Sequence, residues 1–170
     1  DREESRQDDA AALKEAGVEL FVSDVTTLAG ALKVVRELAT LVGGTSAPDV
    51  ATAVAPIGRS VFVPIWRRPW MSINGQTYGA SLLEHLGCTL VTAEMDDAYP
   101  EVELEQLSAW APDVVAVPSE PYEFNDAHLA ELQEASPKST VVRVDGQDLF
   151  WWGSRTQRAI TRLHAALGSL

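Results

Sequence analysis

Four of the five tryptophans crowd into two short stretches, Trp66-Arg67-Arg68-Pro69-Trp70-Met71 and Asp145-Gly146-Gln147-Asp148-Leu149-Phe150-Trp151-Trp152-Gly153-Ser154-Arg155. A third stretch, Pro118-Ser119-Glu120-Pro121-Tyr122-Glu123-Phe124, adds further rings. Aromatic side chains seldom gather in connecting segments, because exposed apolar area is costly and buried loop backbone is hard to satisfy. Rings interspersed with Arg and Glu make a broad, flat, partly polar wall. Such a wall suits a large planar ligand better than a small ion. The competing reading packs the indoles beneath the loops as a local core, since tryptophan is highly buried on average.

Other chemistry finds little support. No Gly-x-Gly-x-x-Gly, Walker loop or Gly-x-Ser-x-Gly elbow occurs in the chain. His85, His128 and His164 each fall inside an expected helix, and none has the i, i+4 partner of a zinc helix. The acidic run Asp96, Asp97, Glu101, Glu103 and Glu105 reads as a solvated face. A lone Cys88 forms no internal disulfide and is expected to pack as a small apolar residue.

Composition narrows the partners. The chain has 170 residues, enough for one ordinary domain, with 46% hydrophobic and 22% charged residues. A net charge of -12 argues against nucleic acid and anionic membrane surfaces, which require clustered Lys and Arg. No apolar run approaches the roughly 20 residues of a membrane span. The chain starts at Asp1, which reads as a processed or fragmentary end.

The elements that must carry the aromatic loops alternate between short apolar runs and amphipathic helices, the signal of an α/β protein. Asp8 to Ala16 reads as a helix stopped by Gly17, Val18 to Val22 as a strand, and Thr27 to Val42 as a helix broken by Gly43-Gly44. Residues 49–55 carry a weak helical pattern. Strands are expected at Ser60 to Ile65, Cys88 to Thr92, Asp113 to Val117 and Ser139 to Val144. Helices capped by Thr77, Asn125 and Ser154, and one from Glu103 to Trp110, alternate with them. Such repeats build a parallel sheet with helices on both faces, whose ligands bind at the carboxyl ends of the strands. All three aromatic stretches, and the segment Thr92 to Pro100, fall at that edge.

At these loops the sequence resembles the class III solute-binding proteins of ABC importers, and most of all their cobalamin-binding and helical-backbone metal receptor group. The matching stretches are VFVPIWRRPWMSINGQTYGASLLEHLG, YPEVELEQL, PDVVAVPSEPYEFNDAHL and VDGQDLFWWGSRTQRAITRL, in the family's order. The resemblance implies the C-terminal lobe of a two-lobed periplasmic-binding-like fold over residues 59–170. It further implies a shortened linker helix region over 27–58, interrupted by Gly43-Gly44 and Pro48, and a remnant of the N-terminal lobe over 1–26. Asp1 to Arg6 and the strand Val18 to Val22 would belong to that remnant.

By the same resemblance the chain is a solute-binding component of an ABC importer, without catalytic activity or a built-in cofactor. Its ligand is expected to be cobalamin, with haem or an iron-siderophore as further possibilities, held in the cleft between the lobes. A membrane permease is the implied partner, reached through acidic residues, and the implied location is extracytoplasmic. The positions matching the cleft loops are Trp66, Arg67, Trp70, Met71, Glu120, Tyr122, Phe124, Trp152 with Gly153, and Arg155. Trp66, Trp70, Tyr122 and Trp152 are expected to stack on the ligand, and Arg67 or Arg155 to pair with a ligand carboxylate or phosphate. The alternative is a tetrapyrrole- or cluster-handling enzyme of chelatase or nitrogenase-like fold, which would need a His or Cys at the cleft.

Overall fold

Runs of valine set the layers of the fold. The computed structural model describes residues 7–44 and 50–170. The elements run α1 (Gln7–Glu15), α2 (Leu28–Leu41), β1 (Ser60–Phe62), β2 (Pro64–Trp66), β3 (Met71–Ser72), α3 (Tyr78–His85), β4 (Thr89–Leu90), α4 (Leu104–Trp110), β5 (Val114–Pro118), α5 (Asp126–Ala135), β6 (Thr140–Val144), α6 (Gly146–Phe150) and α7 (Thr156–Gly168). β4, β1, β5 and β6 lie side by side in that order, and every neighbouring pair is parallel.

Successive strand residues point to opposite faces. Val61, Val63, Val114 and Ala116 therefore join one core, with Leu28 and Ala31 of α2, Leu82 and Leu83 of α3, and Ile160, Leu163 and Leu167 of α7. Phe62, Val115 and Val117 join the other, with Leu107 of α4 and Leu132 of α5. Both faces of the sheet are covered, as a parallel sheet requires. Cys88 is buried in the first core, which pushes its thiol up to about 11.

Helix starts follow local sequence. Thr27, Thr77 and Asn125 each cap a helix by accepting from the backbone N–H three residues on, at 3.0, 3.3 and 3.1 Å. At the amino ends of β1 and β5, the Ser60 N–H and hydroxyl both donate to Asp113 at 2.7 Å. These donors hold the Asp113 carboxyl below its usual range, the backbone one contributing most.

Several expectations are corrected. Val18 to Val22 forms no strand; Val18, Phe21 and Val22 are exposed and no neighbouring strand pairs with them among the described residues. Residues 50–59 are not helical either. They run as a strap held from outside, with Gln157 bonded to Val50 and Thr52, His85 to Thr52, and His164 to Ala55. Asp49, Pro48, Thr45, Ser46 and Asp1 to Arg6 lie outside the described residues. The expected strand Ser60 to Ile65 divides at Val63, because Pro64 has no N–H to continue the ladder. β2 instead pairs antiparallel with β3 in a small separate hairpin. α7 starts after Arg155 rather than after Ser154, with the Gly153 N–H donating to the Thr156 hydroxyl at 3.1 Å. α6, expected as loop, is a short helix capped by Asp145, which accepts from the N–H groups of Gln147 and Asp148 at 2.9 and 3.2 Å.

Candidate functional site

The strand order reverses beside β1. The chain leaves β1 toward β4, whereas β5, on the other side of β1, leads on to β6. Segments leaving the carboxyl ends of β1 and β5 thus diverge, and a crevice opens between them, where open parallel sheets bind ligands. Here it is a cleft of about 440 Å³. Ile65, Trp66, Met71 and Ile73 come from the β2–β3 hairpin, Glu120 and Pro121 from the exit of β5, and Phe150 and Trp151 from the end of α6. Thr77, Tyr78 and Gly79 at the start of α3, and Tyr99, complete the lining.

Of the positions expected from sequence, Trp66, Met71 and Glu120 line this cleft, and the others are not part of its lining. Trp66 is 44% exposed. Its indole meets the edge of Tyr122, with centroids 5.1 Å apart and planes at 72°. Tyr122 leans on Phe124 at 4.8 Å, and Phe124 stacks on Trp70 at 5.7 Å with planes 2° apart. Trp70, only 9% exposed, belongs to the second core, so for this indole the structure takes the core reading rather than the ligand-facing one. Arg67 is also engaged: its Nε and Nη2 donate to one oxygen of Glu131 on α5 at 2.9 and 2.8 Å, and its guanidinium lies 5.7 Å from the Trp70 ring centre. This pair pins the hairpin to α5.

The other wall is locked in the same manner. Asp148, 2% exposed, accepts from Arg155 at 2.8 Å and lies 3.5 Å from Arg162. Arg155 also donates to Gln147 at 2.6 Å. α6 is thereby fastened to the start of α7, and Arg155 is spent on that joint instead of facing the cleft. Beyond α6 the backbone is extended at Trp151, so consecutive indoles diverge. Trp151 is 53% exposed and lines the cleft, whereas Trp152 is half-buried against the first core. The adjacent tryptophans gave no sign of which would face outward, and the sequence-based choice fell on Trp152.

Tyr99 was also missed. Its loop is bonded to the hairpin side: Ser72 N–H donates to Pro100 O at 3.0 Å, and Asn74 N–H to Ala98 O at 2.9 Å. The Thr92 hydroxyl donates to Ile73 O at 2.6 Å. Asp96, Asp97, Glu101, Glu103 and Glu105 are exposed, as expected of a solvated face. Polar groups deeper in the cleft are already satisfied. The Tyr78 hydroxyl shares a hydrogen bond with Thr156 at 3.2 Å, and burial pushes its phenol above the usual value. Two close approaches shape the floor. A Cβ on Gly79 would lie 3.2 Å from the Phe150 ring, and one on Gly146 would lie 2.7 Å from Glu120 N.

None of the three histidines lines the cleft. His85 and His164 bond the strap, while His128 packs against Tyr122 and Phe124 at 5.7 and 6.0 Å. No group of three or more His, Cys, Asp or Glu side chains among the described residues is arranged to hold a metal ion. Nor is any described helix long and apolar enough to cross a membrane.

No protein-family model and no curated protein matches the chain. Solved structures do. The periplasmic vitamin B12 binding protein BtuF of Vibrio cholerae aligns over 96% of this chain and 70% of its own, with 17% identity and a TM-score of 0.69. The periplasmic heme-binding protein RhuT of Roseiflexus sp. aligns over 97% and 72%, with 16% identity and a TM-score of 0.73. A periplasmic heme binding protein from Pseudomonas aeruginosa aligns over 97% and 69%, with 17% identity and a TM-score of 0.72. The likeness takes in the helix α2 as well as the sheet and its covering helices, and at these identities it speaks for architecture. The chain has the α/β fold of the class III periplasmic solute-binding proteins.

Proposed function

We propose that this chain is the ligand-holding part of a solute-binding protein that serves an ABC importer outside the cytoplasm. Residues 59–170 act as one lobe, 27–58 as the linker region and 1–26 as a remnant of the other lobe. The ligand is a large planar molecule or metal chelate, with cobalamin first and haem or an iron-siderophore after it. The chain binds and releases its ligand without turning it over. The observation that carries this reading is the pair of exposed indoles, Trp66 and Trp151, lining an apolar cleft at the point where the strand order reverses. Rings held there by Tyr122 on one side and by the α6–α7 joint on the other are preorganised, so little rotamer freedom is lost on binding. The neighbouring folds whose names record B12 or heme binding support the same reading.

Tryptophan fluorescence tests it, with cyanocobalamin, haemin and a ferric siderophore titrated separately and corrected for inner-filter absorbance. Saturable quenching by one of them is expected, weakened about tenfold or more in Trp66→Ala and in Trp151→Ala, from the loss of a stacking face and its buried area. Quenching that persists unchanged in both variants, or no saturation with any of the three, would remove the cleft as the binding site.

A further inference from the structure

Among the described residues that line the cleft there is one carboxyl side chain, Glu120, and no Lys, Arg or His. Glu120 stands half-buried where β5 ends, and its side chain makes no hydrogen bond or ion pair among the described residues. The cations that a sequence reading would send to an anionic ligand are engaged elsewhere. Arg67 is held by Glu131, and Arg155 by Asp148 and Gln147. Arg68 lines a separate recess with Arg67 and Trp70. Thr77 and Tyr78 have spent their hydroxyls on Asn74 and Thr156.

We propose that Glu120 is the specificity-determining residue of this wall, selecting a planar ligand whose rim carries N–H donors or positive charge and rejecting one that carries carboxylates. The proposal rests on the reading of the cleft as the ligand site and adds the charge class of that ligand. The carboxylate projects from a backbone that is held in place at the start of α6. Gly146 abuts its Cγ and backbone so closely that a Cβ there would come within 2.6 Å, which keeps Glu120 against the start of α6. Beside low-dielectric aromatic walls, a ligand carboxylate about 6 Å away is repelled by on the order of tenfold in affinity, and an amide or cationic rim gains a charge-assisted hydrogen bond instead. A corrinoid rim of neutral amides fits this wall, and the two propionates of haem do not.

The test uses two porphyrins of equal size and opposite charge, tetrakis(4-carboxyphenyl)porphyrin and tetrakis(N-methylpyridyl)porphyrin, with cyanocobalamin as the neutral amide-bearing probe. Their affinities are measured by tryptophan quenching at 0.15 M salt for the wild type, Glu120→Gln, Glu120→Lys and Glu105→Lys. The last changes net charge as Glu120→Lys does, but from the exposed face of α4. The wild type should bind the cationic porphyrin and cyanocobalamin at least tenfold more tightly than the tetracarboxylate. Glu120→Gln should narrow that ratio about tenfold and Glu120→Lys reverse it, while Glu105→Lys leaves it within twofold. Half-molar salt should also narrow the wild-type ratio, because the carboxylate is partly solvated. Binding of all three probes with a ratio indifferent to both Glu120 variants would overturn the role of Glu120 and leave the cleft standing. A failure of all three to bind, or binding indifferent to Trp66→Ala, would overturn the cleft itself and this inference with it.

Discussion

Gly146 offers a sharp check on how the cleft wall is built. Replacing it by alanine places a methyl carbon 2.6 Å from Glu120 Cγ, 2.7 Å from Glu120 N and 2.9 Å from Glu120 O. The first of these could be relieved by turning the Glu120 side chain. The other two are backbone atoms at the end of β5, in the middle of the fold, and ordinary contact begins near 3.4 Å. Either α6 or the segment 119–121 must move by several tenths of an ångström. That movement strains the bond from the Gly146 N–H to the Ser119 hydroxyl, now 3.0 Å. Overpacking of this kind costs about 1–3 kcal/mol, and a weakened hydrogen bond adds about 1 kcal/mol, so Gly146→Ala should destabilise by about 2–4 kcal/mol. For a domain of this size that lowers Tm by roughly 4–16 °C, read by circular dichroism and by urea unfolding at constant m-value. Gly168 is the control, because a Cβ there meets only Ile57 at 3.9 Å and the residue is helical. Gly168→Ala should be neutral or stabilise by up to about 1 kcal/mol. If Gly146→Ala proved as stable as the wild type within about 0.5 kcal/mol, the close packing of α6 on the β5 exit would be refuted, and the seating of the Glu120 backbone against α6 with it.

Two further outcomes follow from charges outside the cleft. Asp148→Asn removes a buried anion from between Arg155 and Arg162 and leaves Arg155, whose Nε already lacks a partner, with only the longer 3.7 Å pair to Asp145; a loss of about 2–4 kcal/mol in urea unfolding is expected, together with weaker ligand quenching as α6 loosens. Asp113, held below its usual range chiefly by the Ser60 backbone N–H, contributes stability above the unfolded carboxylate value near 3.8 and loses it as pH falls through its lowered folded value; in Asp113→Asn the fall in Tm between pH 7 and pH 2.5 should be smaller than in the wild type, and an equal fall would deny the Ser60–Asp113 clamp any part in acid unfolding.

Much of the scaffold was legible in the chain itself, because it rests on local rules. Thr77 and Asn125 were readable as caps since a cap needs only its own side chain and the N–H three residues on. The alternation of β strands and helices announced a parallel sheet covered on both faces, and the aromatic segments could be assigned to its carboxyl edge. What a side chain does at that edge is a different matter. Trp66 and Trp70 lie four residues apart in one hairpin, yet the first is exposed to the cleft and the second is stacked under Phe124. Trp151 and Trp152 are neighbours, and an extended backbone sends one outward and the other into the core. Arg67 and Arg155 were free cations on paper. Only folding brings Glu131, 64 residues away, and the buried Asp148 to neutralise them. Val18 to Val22 has the composition of a strand, but a strand exists only where another backbone pairs with it, and none does here among the described residues. Propensity, capping and periodicity act over a few residues and so are written in the sequence. The outward face of an indole, the partner of a guanidinium and the pairing of a strand depend on which distant segments arrive beside them, and that the tertiary structure alone decides.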